Sequence, residues 1–124
     1  MPFIASTNTP TFAFHGATFT GMASPSRGST ENAVWLVTLP PGHPAVRHRL
    51  TREETFVGLD GCALASVGGE TFEVTAGSAL IVPADTDFEI RNPGPQSFRA
   101  VVILPVGGQA MIGDAAPFTP PWAV

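Results

Sequence analysis

The chain has 124 residues, 44% of them hydrophobic and 13% charged, a balance too apolar for a disordered chain and too broken by glycine and proline for a membrane span. Its formal net charge of −4 sets ten acidic residues against six arginines, with no lysine, so no basic stripe can neutralise a run of phosphates and nucleic acid is not an expected partner. A chain of this length fills one domain and buries roughly two thirds of its unfolded surface on folding.

Thirteen glycines and thirteen prolines, spread along the whole length, divide the chain into short segments that read as strands rather than long helices. The N-terminus "MPFIASTNTPTFAFHG" lacks a basic start and a continuous apolar run, so it fails as a secretory signal. The single cysteine, Cys62, has no partner for an internal disulfide, and the expected compartment is the cytoplasm. The absence of lysine beside abundant alanine, glycine, proline and arginine points to a GC-rich bacterial genome.

In chain order, "TFAFHGATFTGM" alternates apolar and polar residues and suggests two short strands, with Phe12, Phe14 and Phe19 on buried faces. The serine-rich "ASPSRGSTEN" reads as a loop. "AVWLVTLP" is a β-rich run stopped by Pro40-Pro41-Gly42. Further on, "CALASV" and "ETFEV" flank Gly68-Gly69, which suits a tight primed hairpin turn because both residues take positive φ without steric cost. "SALIVP", "DFEIRN" and "SFRAVVILP" complete about nine or ten strands. No amphipathic helix is evident, and turns every eight to twelve residues suggest a sandwich or barrel. The tail "VGGQAMIGDAAPFTPPWAV" is too rich in glycine and proline for regular structure, yet its apolar residues Met111, Ile112, Phe118 and Trp122 are expected to wrap the body.

The informative stretch is "GHPAVRHRLTREETFVGLDG", Gly42 to Gly61. It resembles the first cupin motif, with Gly42, His48, Glu54 and Gly61 at the landmark positions and Leu50 in place of the second histidine. "GSALIVPADTDFEIRN" resembles the second motif at Gly77, Pro83 and Asn92, with Asp85 replacing a glycine and Phe88 replacing the histidine. The resemblance implies an all-β fold, a double-stranded β-helix or jelly-roll barrel with an interior cavity. It further implies one domain over 1–124: a motif-bearing barrel at about 32–105, N-terminal strands at 11–22 and a wrapping tail at 106–124.

In metal-binding cupins the histidines and glutamate of the two motifs hold one divalent ion, and here only His48 and Glu54 carry over. Leucine and phenylalanine donate no lone pair, and two protein ligands are too few for catalytic zinc or a non-haem iron triad. No metal or other cofactor is therefore expected. His43, in the loop between Gly42 and Pro44, could complete a two-histidine, one-carboxylate set, and His15 is a more distant recruit; the simpler expectation for His43 is a solvated surface residue. If His48 faces inward, strand alternation turns Arg47 and Arg49 out and Leu50 in. Glu53 should then be solvent-exposed, and Cys62 reads as a small core residue.

The favoured reading is a small-molecule-binding cupin with an apolar pocket, lined by Trp35, Leu50, Phe56, Phe88 and Met111. As an enzyme it would be a metal-independent isomerase, cyclase or lyase with His48 as base and Glu54 orienting it, provided the two lie within hydrogen-bond reach. A noncatalytic binding or sensing module is the competing class, and a metalloenzyme rescued by His43 is the third. The expected partners are a small organic ligand and a second copy of the chain, the latter through the phenylalanine-rich Phe12 to Phe19.

Overall fold

The computed structural model describes residues 1–124. Eleven strands form: β1 (Thr11–Phe14), β2 (Ala17–Ala23), β3 (Asn32–Leu39), β4 (Arg49–Leu50), β5 (Glu54–Asp60), β6 (Cys62–Val67), β7 (Glu70–Thr75), β8 (Ala79–Val82), β9 (Phe88–Arg91), β10 (Phe98–Pro105) and β11 (Ala110–Met111). The only helical pieces are three 3-10 turns of three residues each, and no helix is long and apolar enough to cross a membrane.

Six strands make one antiparallel sheet in the order β1-β2-β3-β10-β5-β8, and β7-β6-β9 make a second. Strands distant in sequence lie side by side, β3 with β10 and β6 with β9, which is the wrapped connectivity of the jelly-roll barrel that the motifs imply. The short pair β4 and β11 sits between, tied to the second sheet by a bridge at His48 and Phe88.

Period-two alternation decides which side chains enter the barrel. On β3 the inward series is Ala33, Trp35, Val37 and Leu39; on β10 it is Phe98, Ala100, Val102 and Leu104. Register aligns them across the sheet, so that Trp35, Val102, Phe56 and Leu80 form one continuous row. On β5 the same alternation takes Glu54, Phe56 and Gly58 inward. The register that buries Phe56 therefore also buries Glu54.

Two turns depend on backbone conformations that the sequence supplies. Gly68 and Gly69 have φ of 55° and 88° and join β6 to β7 with Val67 opposite Glu70. Gly61 has φ of 74°, and a side chain there would collide with the Ser97 carbonyl.

Asn92 fastens the rim. Its side chain is fully buried, and its Nδ2 donates to the Leu39, Pro40 and Gln96 carbonyls at 3.0, 3.3 and 2.7 Å, while Oδ1 accepts from Gly94 N–H. Its backbone N–H donates to the His43 carbonyl at 3.0 Å. One residue thus joins the end of β3, the loop after β9 and the loop carrying His43.

The C-terminal segment folds back over the N-terminal hairpin. Trp122 stacks on Phe19 with ring centroids 3.7 Å apart and an interplanar angle of 4°, and Phe12, Phe14 and Trp35 surround it at 5.8–6.3 Å. Phe12, Phe14 and Phe19 are therefore engaged with the chain's own tail. Replacing Asn92 by alanine is expected to remove the donor of three carbonyls, that of Leu39 buried and those of Pro40 and Gln96 partly so, and to cost about 3 kcal/mol. That corresponds to a loss of roughly 10 °C in Tm by differential scanning calorimetry.

Candidate functional site

A cavity of about 130 Å3 opens inside the barrel, and fifteen of its twenty lining residues are hydrophobic. The six-stranded sheet contributes Phe19, Trp35, Val37, Leu39, Glu54, Phe56 and Phe98. The segment before β4 contributes His43, Val46 and His48, and the tail contributes Ile112, Phe118, Pro120 and Trp122.

His48 is partly buried, and its Nδ1–H donates to the Val46 carbonyl at 2.8 Å. A carbonyl only accepts, so this bond fixes the tautomer and leaves Nε2 as the bare acceptor. Burial pushes the His48 pKa below its ordinary value, only partly offset by the bond to Val46, so the ring is neutral at physiological pH. The His48 backbone exchanges hydrogen bonds with Phe88 in both directions at 2.9 Å, and the two rings lie 4.2 Å apart. The two positions that would both carry histidine in a metal-binding cupin are thus cross-strand neighbours here, one polar and one apolar.

Glu54 is 4% exposed, and its Oε1 has no hydrogen-bond partner. Loss of hydration raises its pKa to about 8. Its carboxyl is therefore largely protonated at neutral pH and can donate as well as accept.

The pairing anticipated from the sequence takes a different form. His48 and Glu54 line the same cavity, but the group that orients His48 is the Val46 carbonyl and not the Glu54 carboxyl. A backbone acceptor two residues away reaches Nδ1 without the desolvation that a buried carboxylate would suffer.

Of the other candidates, Trp35, Leu50 and Phe56 line the cavity. Phe88 does not; it is 1% exposed and packs in the core between His48 and Phe56. Met111 does not either, because alternation at β11 gives the lining positions to Ala110 and Ile112. Arg47, Arg49 and Glu53 are exposed. Cys62 is only partly buried, and its thiol donates to the Glu73 carboxylate at 3.3 Å. Burial and the neighbouring carboxylate hold that thiol above its usual range.

His43 departs most from its expectation. It is 8% exposed and lines the cavity, with Nε2–H donating to the His15 carbonyl at 2.9 Å and Nδ1 buried without a partner. The loop before Pro44 turns it inward because Asn92 pins the backbone of His43. Trp122 was also not anticipated as a polar group in the site, since only tertiary packing brings its indole there. The adjacency of His43 to the landmark Gly42 was the one sequence signal for either residue.

The donor set does not fit a divalent ion. No three His, Cys, Asp or Glu side chains converge to hold one. Leu50 and Phe88, both buried, stand where two further ligands would be needed.

The raised Glu54 pKa makes stability pH-dependent. Between about 4.5 and about 8 the native carboxyl holds a proton that the unfolded one has lost, so stability falls as pH rises through that window. Glu54→Gln is expected to abolish this slope and to gain on the order of 3 kcal/mol at pH 8 over the parent protein, read from urea unfolding at pH 5 and pH 8.

The family model for the cupin domain matches residues 35–104. A stretch of 59 residues is 38% identical to dimethylsulfoniopropionate lyase DddW of Ruegeria pomeroyi, covering 48% of this chain and 38% of that protein. Over 86 residues the chain is 30% identical to auxin-binding protein 1 of Arabidopsis thaliana, covering 62% of this chain and 43% of that protein. The chain spans about four-tenths of the length of these two curated relatives. The structure of the polyketide cyclase RemF from Streptomyces resistomycificus aligns with a TM-score of 0.79 at 16% identity, over 94% of this chain and 87% of that one, which establishes a common fold. With the two degenerate motifs on neighbouring strands, β5 beside β8 and His48 bridged to Phe88, and more than half of the residues matched by the family model, the chain belongs to the cupin family.

Proposed function

We propose that the chain binds a small organic molecule in the barrel cavity and catalyses metal-independent proton transfer on it. His48 is the base and Glu54 the acid. The observation that carries this reading is the state of Glu54: a fully buried carboxyl, without a hydrogen-bond partner and protonated at neutral pH, on the same cavity as a neutral imidazole. Two titratable groups whose environments make one an acid and the other a base are the arrangement that enolisation needs.

In such a step His48 Nε2 takes a proton from the carbon beside a carbonyl, breaking the C–H bond, while the Glu54 carboxyl delivers its proton to the carbonyl oxygen. The product is the enol, with His48 now cationic and Glu54 anionic. Returning a proton to a different carbon completes an isomerisation and restores both groups. The apolar lining serves the reaction by excluding water, so that neither proton is lost to solvent.

A noncatalytic binding role is the second reading. It draws support from the wider of the two sequence matches, to a protein named for binding rather than for turnover.

Exchange of ketone α-protons in D2O, followed by proton NMR across a panel of aryl and alkyl ketones, separates the two. The catalytic reading expects exchange above the buffer rate, falling about 100- to 10,000-fold in His48→Gln. Its kcat/KM should decline as pH drops through the lowered His48 pKa and again as pH rises through about 8, where Glu54 ionises. Glu54→Gln should erase the alkaline limb. Exchange at the buffer rate for every ketone leaves the binding role.

A further inference from the structure

Three buried side-chain polar atoms in this protein lack a hydrogen-bond partner, namely His43 Nδ1, Glu54 Oε1 and Trp122 Nε1. All three residues line the one cavity, at 8%, 4% and 7% exposure. An unpartnered buried donor or acceptor is costly, and native proteins hold few of them. Three among the residues around one cavity describe the complement of a ligand.

The remaining contacts of each group settle what it can offer. His43 gives its Nε2–H to the His15 carbonyl, so in the neutral ring Nδ1 presents a lone pair. His48 gives its Nδ1–H to Val46, so Nε2 does the same. An indole nitrogen can only donate. The carboxylic acid of Glu54 does either.

Ligand size follows from the volume. The cavity of about 130 Å3 is close to the ~150 Å3 apolar cavity that admits one benzene molecule. A single aromatic ring fits that space. Phe19, Trp35, Phe56 and Phe118 supply aromatic faces and edges for such a ring.

Charge follows from the same inventory. Imidazole lone pairs repel a carboxylate, and a cavity with a neutral acid holds no anion to balance a cation.

Resting on the reading that the cavity takes an organic ligand, we infer that it recognises a neutral, single-ring hydroxy-carbonyl compound. Its hydroxyl donates to His43 Nδ1, and its carbonyl oxygen accepts from Trp122 Nε1–H. His43 and Trp122 are then the residues that determine specificity, apart from the pair assigned to proton transfer. The tail lines the cavity and also supplies one of its two recognition groups.

The test is a titration of the nitrogen-15-labelled protein with 3-hydroxyacetophenone, followed at the indole N–H signals of its two tryptophans. Trp122→Phe assigns the signal and removes the donor while keeping a ring against Phe19. The expected result is a saturable downfield shift of the Trp122 signal. Affinity should fall about three- to tenfold for 3-methoxyacetophenone, and by a similar factor for the parent probe in Trp122→Phe. Benzoate should not compete.

Equal affinity for the phenol and its methyl ether, an unmoved Trp122 signal at saturation, or no binding at millimolar probe would each overturn the assignment. The wild-type titration decides the matter even if the variant fails to fold. A probe that shifts the indole but shows no exchange removes the catalytic reading and leaves this one standing; exchange without an indole shift does the reverse.

Discussion

A carboxyl group taken out of water into an apolar cavity, with nothing to donate a hydrogen bond to it, does not keep its charge at neutral pH. Glu54 is in that position because it occupies the inward phase of β5, two residues from Phe56 and four from Gly58. Turning it outward would require a one-residue slip that expelled Phe56 from the core and set a side chain in place of Gly58 against the Thr75 carbonyl. The strand register is thus what holds an acid in a place where it is least stable as an anion.

The surrounding frame makes that tolerable. Rows of inward residues run across the large sheet from β3 through β10 and β5 to β8, and the apolar area they bury supplies the bulk of the folding free energy. Asn92 has partners within the protein for both side-chain polar atoms and its backbone N–H while tying three separate segments together. The contrast between the two buried polar residues is informative. Asn92 is fully partnered and structural, whereas Glu54 is unpartnered and faces the cavity, and unpartnered polar groups are where strain is kept for function.

Leu50 and Phe88 change the character of the site more than the loss of two ligands alone would suggest. Phe88 is the cross-strand partner of His48 and lies against its ring, so it contributes to the desolvation that keeps the imidazole neutral. An additional histidine at that position would bring a polar edge and water with it. With leucine and phenylalanine there instead, a set of side chains resembling half an ion-binding site becomes two titratable groups in a mostly apolar cavity.

The residues by themselves determined the all-β architecture, because glycine and proline spacing, period-two alternation and the glycine pair at 68 and 69 are local properties read from neighbours in the chain. The resemblance to the first cupin motif also marked His48 and Glu54 as residues of one site, and both line the cavity. Tertiary structure alone decided that His43 turns inward, with its carbonyl held by the Asn92 N–H, and that Trp122 reaches the cavity from the far end of the chain. It also decided that Phe88 belongs to the core and that Ile112, not Met111, reaches the cavity. The positions of His43 and Trp122 depend on atoms that meet across 28 to 103 residues of intervening chain, and pattern along the sequence carries no record of such meetings.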